Sequence, residues 1–191
     1  MSSLVVLAHP PKNALCAQLA TLAVQTLNQK GQNPQLLDLY AEGFNPVLTP
    51  QERADYYQTA FPDTSDLASV ERLILVFPTW WFGPPAILKG WIDRTFLPGV
   101  AYDHADDLSA LSGKLHNLRD VVILTTLGSP WWVDRIVLRR PVLRSLKWGT
   151  FKACAPQAKV RILSLYSAEL VTPERYARFA GRLTKLLGTL T

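Results

Sequence analysis

The chain has 191 residues, 48% of them hydrophobic and 18% charged, which is enough length and apolar content for one packed domain over residues 1–191 with no help from disulfides or metals. Its 20 Lys and Arg against 15 Asp and Glu give a net charge of +5, a field that favours phosphates and nucleotides but falls short of a nucleic-acid-binding footprint. No run nears the roughly eighteen apolar residues of a membrane span, and the start carries no positively charged leader, so a cytoplasmic location is expected.

Leu4 to Ala8 is a nearly continuous apolar run ended by His9-Pro10-Pro11, which predicts a strand buried on both faces and then a turn. From Ala14 to Lys30 the apolar residues Leu15, Leu19, Leu22, Ala23 and Leu27 recur with a helical period, with Asn13 as the expected cap and Gly31 as the stop. Gln35 to Leu39 predicts a second strand. Thr49-Pro50-Gln51-Glu52 carries a capping pattern that opens a polar helical stretch, whose tail from Ala60 to Asp66 reads as loop. Leu73 to Phe77, ended by Pro78, predicts a third strand, and a helix follows from Pro84-Pro85 to Phe96 with Ile87, Leu88, Trp91 and Ile92 on its apolar face. Val121 to Leu124 and Val160 to Leu165 predict two more buried strands, and Pro173 to Leu187 a terminal amphipathic helix. Strand and helix alternate, which argues for a parallel sheet wrapped by helices, with ligands bound outside the carboxyl ends of its strands.

The first strand-to-helix turn is where an anion would bind, because exposed amides and the helix dipole favour one there. No glycine precedes Gly31, so the G-x-G-x-x-G turn of a dinucleotide site and the P-loop are both excluded from this position. The loop His9-Pro10-Pro11-Lys12-Asn13 offers an imidazole, an ammonium and an amide instead, and reads equally well as an ordinary surface turn. His9, His104 and His116 share no ligand spacing, and Cys16 and Cys154 form no C-x-x-C, so no metal site is expected and both thiols are expected reduced. Three consecutive aromatics, Trp80-Trp81-Phe82, stand at the carboxyl end of a buried strand; they cannot all enter the core, and flat rings lining a crevice suit a flat ligand. Arg135, Arg139, Arg140, Arg144 and Lys147, interleaved with apolar residues and broken or kinked at Pro141, read first as a solvated helical face and alternatively as a basic set that draws a ligand's phosphates towards the cleft.

The segment from Pro78 to Phe96, with its Pro-Ala-Ile-Leu-Lys-Gly-Trp core at Pro85 to Trp91, resembles the NAD(P)H:quinone oxidoreductases of the DT-diaphorase type and their shorter bacterial relatives. The resemblance implies a flavodoxin-like α/β fold, a doubly wound five-stranded parallel sheet with helices on both faces. It implies that Pro78, Trp81 and Phe82, with Thr79 and Trp80 between them, wrap a flavin isoalloxazine. His9 matches the family's histidine at the flavin phosphate, in a loop that continues through Asn13, Leu15 and Cys16. Thr125, Thr126 and Gly128 resemble the family's Thr-Thr-Gly-Gly loop beside the ring. Tyr102 matches a tyrosine that reaches the partner subunit's active site in a homodimer, and His104 stands beside it. Asn13 and Cys16 replace a hydroxyl residue and an asparagine, and Ser129-Pro130-Trp131-Trp132 replaces a tyrosine and histidine pair, so no proton relay carries over. Trp131 and Trp132 read either as an aromatic lid or as core.

By the same resemblance the cofactor is FMN, with FAD as the alternative, NAD(P)H is the co-substrate, and a quinone-like acceptor is reduced by two electrons in a ping-pong cycle. Tyr102 and His104 are the expected catalytic residues. An alternative role is that of an ancillary regulatory subunit of a potassium-efflux system, touching the transporter peripherally. A one-electron carrier of the flavodoxin kind fits less well, since such carriers are usually acidic.

Overall fold

The structure, a computed structural model, describes residues 2–56, 67–104 and 110–190; the loop expected from Ala60 to Asp66 lies outside them. In chain order the elements are β1 (Ser3–Leu7), α1 (Leu15–Asn28), β2 (Gln35–Asp38), α2 (Pro50–Ala54), β3 (Arg72–Pro78), α3 (Ala86–Thr95), β4 (Tyr102–His104), β5 (Leu111–Gly113), β6 (Asp120–Thr126), α4 (Pro141–Arg144), α5 (Lys152–Cys154), β7 (Lys159–Leu165) and α6 (Pro173–Gly188). β1, β2, β3, β6 and β7 form a wholly parallel sheet in the order β2-β1-β3-β6-β7. The expected flavodoxin-like α/β fold is therefore present. The order reverses direction at β1, and in such sheets the crevice between the carboxyl ends of β1 and β3 is where a ligand lies.

The apolar runs form strands buried on both faces because each face has its own helical cover. Leu4, Val6, Leu73, Leu75, Phe77, Val121 and Ile123 pack on α3 through Ile87, Leu88, Trp91 and Ile92. Val5, Leu7, Ile74, Val76, Val122 and Leu124 pack on the opposite side, against Leu19, Ala20, Ala23 and Leu27 of α1 and Phe179, Leu183 and Leu187 of α6. β3 and β6 are buried along their whole length, as central strands of a doubly covered sheet must be.

The ends of α1 differ in how well local chemistry foretold them. At its carboxyl end Gly31 adopts φ +71°, its amide bonding to Asn28 O at 2.9 Å and that of Gln32 to Leu27 O at 3.1 Å, a Schellman closure. At its start Asn13 is not the cap. The Pro10-Pro11 turn closes through Ala14 N–H to Pro11 O (3.2 Å), which carries the chain one residue further, so that Ala14 takes the cap position without a side-chain bond. The capping box at Thr49 forms as read: Glu52 N–H donates to Thr49 Oγ1 (3.1 Å) and Thr49 N–H to Glu52 Oε2 (2.7 Å). Glu52 also pairs with Arg94 of α3 at 2.5 Å, tying that outer helix to the sheet layer.

Three features depart from strict strand and helix alternation. β4 and β5 form an antiparallel hairpin outside the sheet, each too short to leave a periodic signal. Leu97 and Ala101, in the apolar segment that follows α3, are buried within the subunit. The basic stretch does not make one kinked helix; it forms wide helical turns over Val133–Val137 and Ser145–Phe151, separated by Arg139 and Arg140 at φ 55° and 56° immediately before Pro141. A proline disfavours right-handed helical backbone in the residue before it, which accounts for where the break falls.

Gly90, inside the Pro-Ala-Ile-Leu-Lys-Gly-Trp core, is a point of close approach: a Cβ there would stand 2.3 Å from both the backbone oxygen and the Cβ of Pro46. Gly90→Ala is expected to lower stability by about 2–3 kcal/mol through overpacking, although alanine is the better helix former. A urea denaturation midpoint equal to that of the parent protein would show that the loop before α2 moves aside freely.

Candidate functional site

Trp80 to Gly83 form a two-residue turn, with Trp80 N–H donating to Gly83 O (3.1 Å) and Gly83 N–H to Trp80 O (2.9 Å). Its central residues, Trp81 and Phe82, both sit in the left-handed region, at φ 50° and 55°. This is the geometry in which Asn-Gly is favoured, and each non-glycine residue held there costs roughly 1–2 kcal/mol. Two adjacent aromatics in that conformation, one of them 100% exposed, are held without a packing reward at Trp81. Strain of this kind concentrates at ligand sites.

Opposite the turn, β6 is followed by Leu127, Gly128 and Ser129. Thr79, Trp81, Phe82, Leu127, Gly128 and Ser129 together line a crevice of about 180 Å³ at the carboxyl ends of β3 and β6. The two walls are fixed to each other by Thr79 N–H to Thr126 O (2.8 Å) and by the Thr79 and Thr125 hydroxyls, 2.7 Å apart. The turn after β7 braces the second wall, Ala168 N–H donating to Leu127 O (2.9 Å) and Ser167 N–H to Ser129 O (3.1 Å). A Cβ on Gly128 would lie 2.7 Å from a carboxylate oxygen of Glu169, the far end of an exposed side chain that can swing aside.

The first loop lies one strand away. Burial holds the His9 imidazole below its ordinary pKa, so it is neutral at pH 7, and its Nδ1 is buried with no hydrogen-bond partner among the described residues. Its ring meets Trp80 edge-on, with centroids 6.0 Å apart. The amides of Leu15, Cys16 and Ala17 stand ahead of the first intrahelical bond, from Gln18 to Ala14 O at 3.1 Å, and are the open donors that a helix start presents. An orphaned imidazole nitrogen, open amides, and the buried unpartnered Ser129 Oγ are the donor set that a flavin phosphate and a flavin ring edge require, so the residues present fit that group.

The predicted site residues are not all brought together. Thr79, Trp81, Phe82 and Gly128 converge on the crevice, whereas His9 and Trp80 do not line it and meet each other edge-on beside the turn. Pro78, Thr125 and Thr126 are buried supports behind the walls. Asn13 is exposed on the outer side of α1, and the Cys16 side chain is buried, its Sγ 3.5 Å from Thr126 Oγ1, so of that pair only the Cys16 backbone faces the loop. Tyr102 and His104, ring centroids 5.3 Å apart, stand on β4; Tyr102 lines a separate groove of about 350 Å³ with Ile92, Phe96 and Leu111, not the crevice. Trp131 and Trp132 are exposed and serve as neither core nor cover over this crevice. Leu127, Ser129 and Glu169 were missed by sequence reading. Ser129 was recoverable as the next residue of the Thr-Thr-Leu-Gly loop, whereas Glu169 lies forty residues away with no local signal.

Burial pushes both the Cys16 and the Cys154 thiols up to about 11 from an ordinary 9.0. The unfolded thiols therefore ionise first as pH rises, so stability is unaffected below pH 9 and falls between 9 and about 11. At pH 8 neither cysteine is expected to react with a thiol reagent until denaturant is added; rapid titration of one thiol in the native protein would contradict the burial of Cys16 or Cys154.

A protein family described as having a flavodoxin-like fold matches residues 1–140. The NAD(P)H dehydrogenase (quinone) 1 of Cavia porcellus is 34% identical over 149 residues, covering 66% of this chain and 54% of that protein. The ribosyldihydronicotinamide dehydrogenase (quinone) of Mus musculus is 31% identical over 186 residues, 81% of this chain and 79% of the relative. Among solved structures, Smu.1420 from Streptococcus mutans UA159 has a TM-score of 0.86 at 29% identity, with 100% of both chains covered. The chain spans about half the length of the curated relatives it matches first, 54% in each case. With the sheet order, the strained aromatic turn and the glycine-bearing loop opposite it, these likenesses mean that the chain belongs to the family of flavodoxin-like fold that includes the NAD(P)H and ribosyldihydronicotinamide quinone dehydrogenases.

Proposed function

We propose that this protein is a flavin-dependent NAD(P)H oxidoreductase that reduces quinones or similar flat aromatic acceptors by two electrons. The observation that carries the reading is the crevice at the strand ends, walled by a turn whose two aromatics are held in left-handed backbone, with donors nearby that have no partner among the described residues. The relatives' names, an NAD(P)H dehydrogenase (quinone) and a ribosyldihydronicotinamide dehydrogenase (quinone), support the same donor and acceptor classes. The cofactor in this reading is FMN, FAD being the alternative. When bound, it would supply the hydride chemistry. The chain's own residues bind and orient: His9 Nδ1 and the first amides of α1 hold the phosphate, Trp81 and Phe82 press on the ring plane, and the Leu127 to Ser129 loop meets its polar edge.

The proposal includes a homodimer. A crevice of about 180 Å³ encloses only the edge of a tricyclic ring, where complete ligand pockets run to roughly 300–1,000 Å³, so a further wall is needed. Trp132, Ile136, Val137, Leu138 and Trp148 are each exposed, an excess of apolar surface of the kind that a two-fold contact covers. In that arrangement Tyr102, with His104 behind it, completes the partner's site rather than its own. No helix among the described residues is long and apolar enough to cross a membrane, and the acceptor in this proposal is met in the cytoplasm, where nicotinamide nucleotides are abundant. Residues 1–191 act as one domain.

The test is reconstitution followed by kinetics. Protein incubated with excess FMN or FAD and desalted is expected to keep one flavin per subunit, and double-reciprocal plots at several acceptor concentrations are expected to be parallel, because donor and acceptor use one pocket in turn. A colourless product with both flavins would overturn the reading, and intersecting lines would replace alternation by a ternary complex.

A further inference from the structure

A second cleft lies beyond the flavin-site loop, on the far side of β7. It has a volume of about 350 Å³ and is lined by Trp131, Ser164, Tyr166, Arg175, Arg178 and Arg182, over the apolar floor of Leu165 and Phe179. The three arginines fall at i, i+3 and i+7 of α6, so they share one face of the helix. Arg175 is fixed in place, donating to Tyr166 O (2.8 Å) and Leu170 O (3.1 Å). Arg178 and Arg182 are exposed and form no salt bridge among the described residues. Tyr166 is held from the other side, its hydroxyl donating to Asp134 Oδ2 (2.7 Å) and accepting from Arg135 Nε (3.2 Å). Acidic groups stand near the cleft but do not fill it: Asp134 is buried and engaged with Tyr166, and Glu174 is held low by its bonds to Thr172 and its own backbone and by the nearby charge of Arg178, with which it forms no salt bridge among the described residues. Ser164 Oγ is buried there with no hydrogen-bond partner among the described residues. An exposed indole, a row of guanidinium groups and an unsatisfied hydroxyl around one concavity are a constellation for a ring that stacks and a phosphate that pairs.

Resting on the oxidoreductase reading, we infer that this cleft receives the adenosine phosphate end of NAD(P)H. The two sites share one loop: Ser129 lines the flavin crevice and Trp131, two residues on, walls the arginine cleft. A dinucleotide whose nicotinamide meets the flavin ring passes over this loop to reach Arg178 and Arg182 with its phosphates and Trp131 with its adenine. The cleft uses the α6 arginines and not the exposed Arg139 and Arg144, which lie outside it.

The decisive experiment separates this site from the reaction. ADP and, separately, inorganic diphosphate are titrated into the flavin-loaded protein and into an Arg178→Glu/Arg182→Glu double variant, and binding is followed by tryptophan fluorescence and calorimetry. ADP is expected to bind the parent protein at least about tenfold more tightly than diphosphate, and the variant at least about tenfold more weakly than the parent. In steady-state assays the variant is expected to show a KM for NAD(P)H raised by about tenfold or more with kcat retained. Its KM for dihydronicotinamide riboside, which carries no phosphate, stays at the parent value. Equal ADP affinity in parent and variant, or equal affinity for ADP and diphosphate, overturns the inference. A protein that holds no flavin overturns the parent reading instead, and the ADP titration on that protein still decides whether the cleft binds adenosine phosphates. An Arg178→Lys/Arg182→Lys variant, which keeps the charge, guards against a folding defect; it is expected to recover part of the ADP affinity.

Discussion

Replacing Trp81 and Phe82 by Asn and Gly is expected to make the protein more stable and to abolish its hold on flavin. Both residues occupy left-handed backbone, at φ 50° and 55°, in a two-residue turn closed by reciprocal bonds between Trp80 and Gly83. Asn-Gly adopts that turn at little steric cost, whereas each non-glycine residue there costs roughly 1–2 kcal/mol. Trp81 is fully exposed, so its removal forfeits little packing; Phe82 is half-buried, and losing its ring returns about 1 kcal/mol of the gain. The net expectation is a rise of roughly 1–2 kcal/mol in the flavin-free protein, read from urea denaturation, with FMN affinity lower by about a hundredfold or more in a fluorescence titration. A less stable variant would mean that the turn is not strained. Undiminished FMN affinity in a stabilised variant would mean that these aromatics serve the loop and not a ligand.

Mixing two weakly active variants is expected to restore activity. Tyr102 lies on β4, lining a groove with Ile92, Phe96 and Leu111, apart from the crevice of its own subunit. If it completes the site of a second subunit, then Tyr102→Ala and Trp81→Ala, each weakly active alone, combine in a heterodimer with both lesions in one site and neither in the other. Random exchange at equal amounts makes about half of the dimers hybrid, so about a quarter of the parent's sites are rebuilt. That recovery, measured as quinone-dependent NAD(P)H oxidation after exchange is demonstrated by tagged subunits, is far above the sum of the separate activities. No recovery despite exchange, or full activity in a monomer at assay concentrations, would leave Tyr102 a structural residue of the hairpin.

Much of this protein is determined locally. The runs at Leu4 to Ala8, Leu73 to Phe77 and Val121 to Leu124 are apolar at every position, and a strand with helices on both faces is the economical way to bury such a run. The Gly31 stop and the Thr49 capping box also follow from a few adjacent residues, because the bonds concerned span five residues or fewer. The Trp80-Trp81-Phe82 run marked the crevice for the same reason: a strand end cannot bury three consecutive rings.

Other features depend on contacts between distant segments. Gly90 is needed because of Pro46, and Gly128 stands beside Glu169; neither pairing has a local signal. Cys16 is turned away from the first loop by Thr126, 110 residues on, and Leu97 and Ala101 find cover inside the subunit although their segment is apolar enough to seek it elsewhere. The arginine cleft is the clearest case. Arg175, Arg178 and Arg182 read along the chain as the solvated face of an amphipathic helix, and only the parallel pairing of β7 with β6 brings Tyr166 and Trp131 across from them. Periodicity reports which side of an element faces the core, whereas a site is made where several elements end together, and that is decided by the order of strands in the sheet.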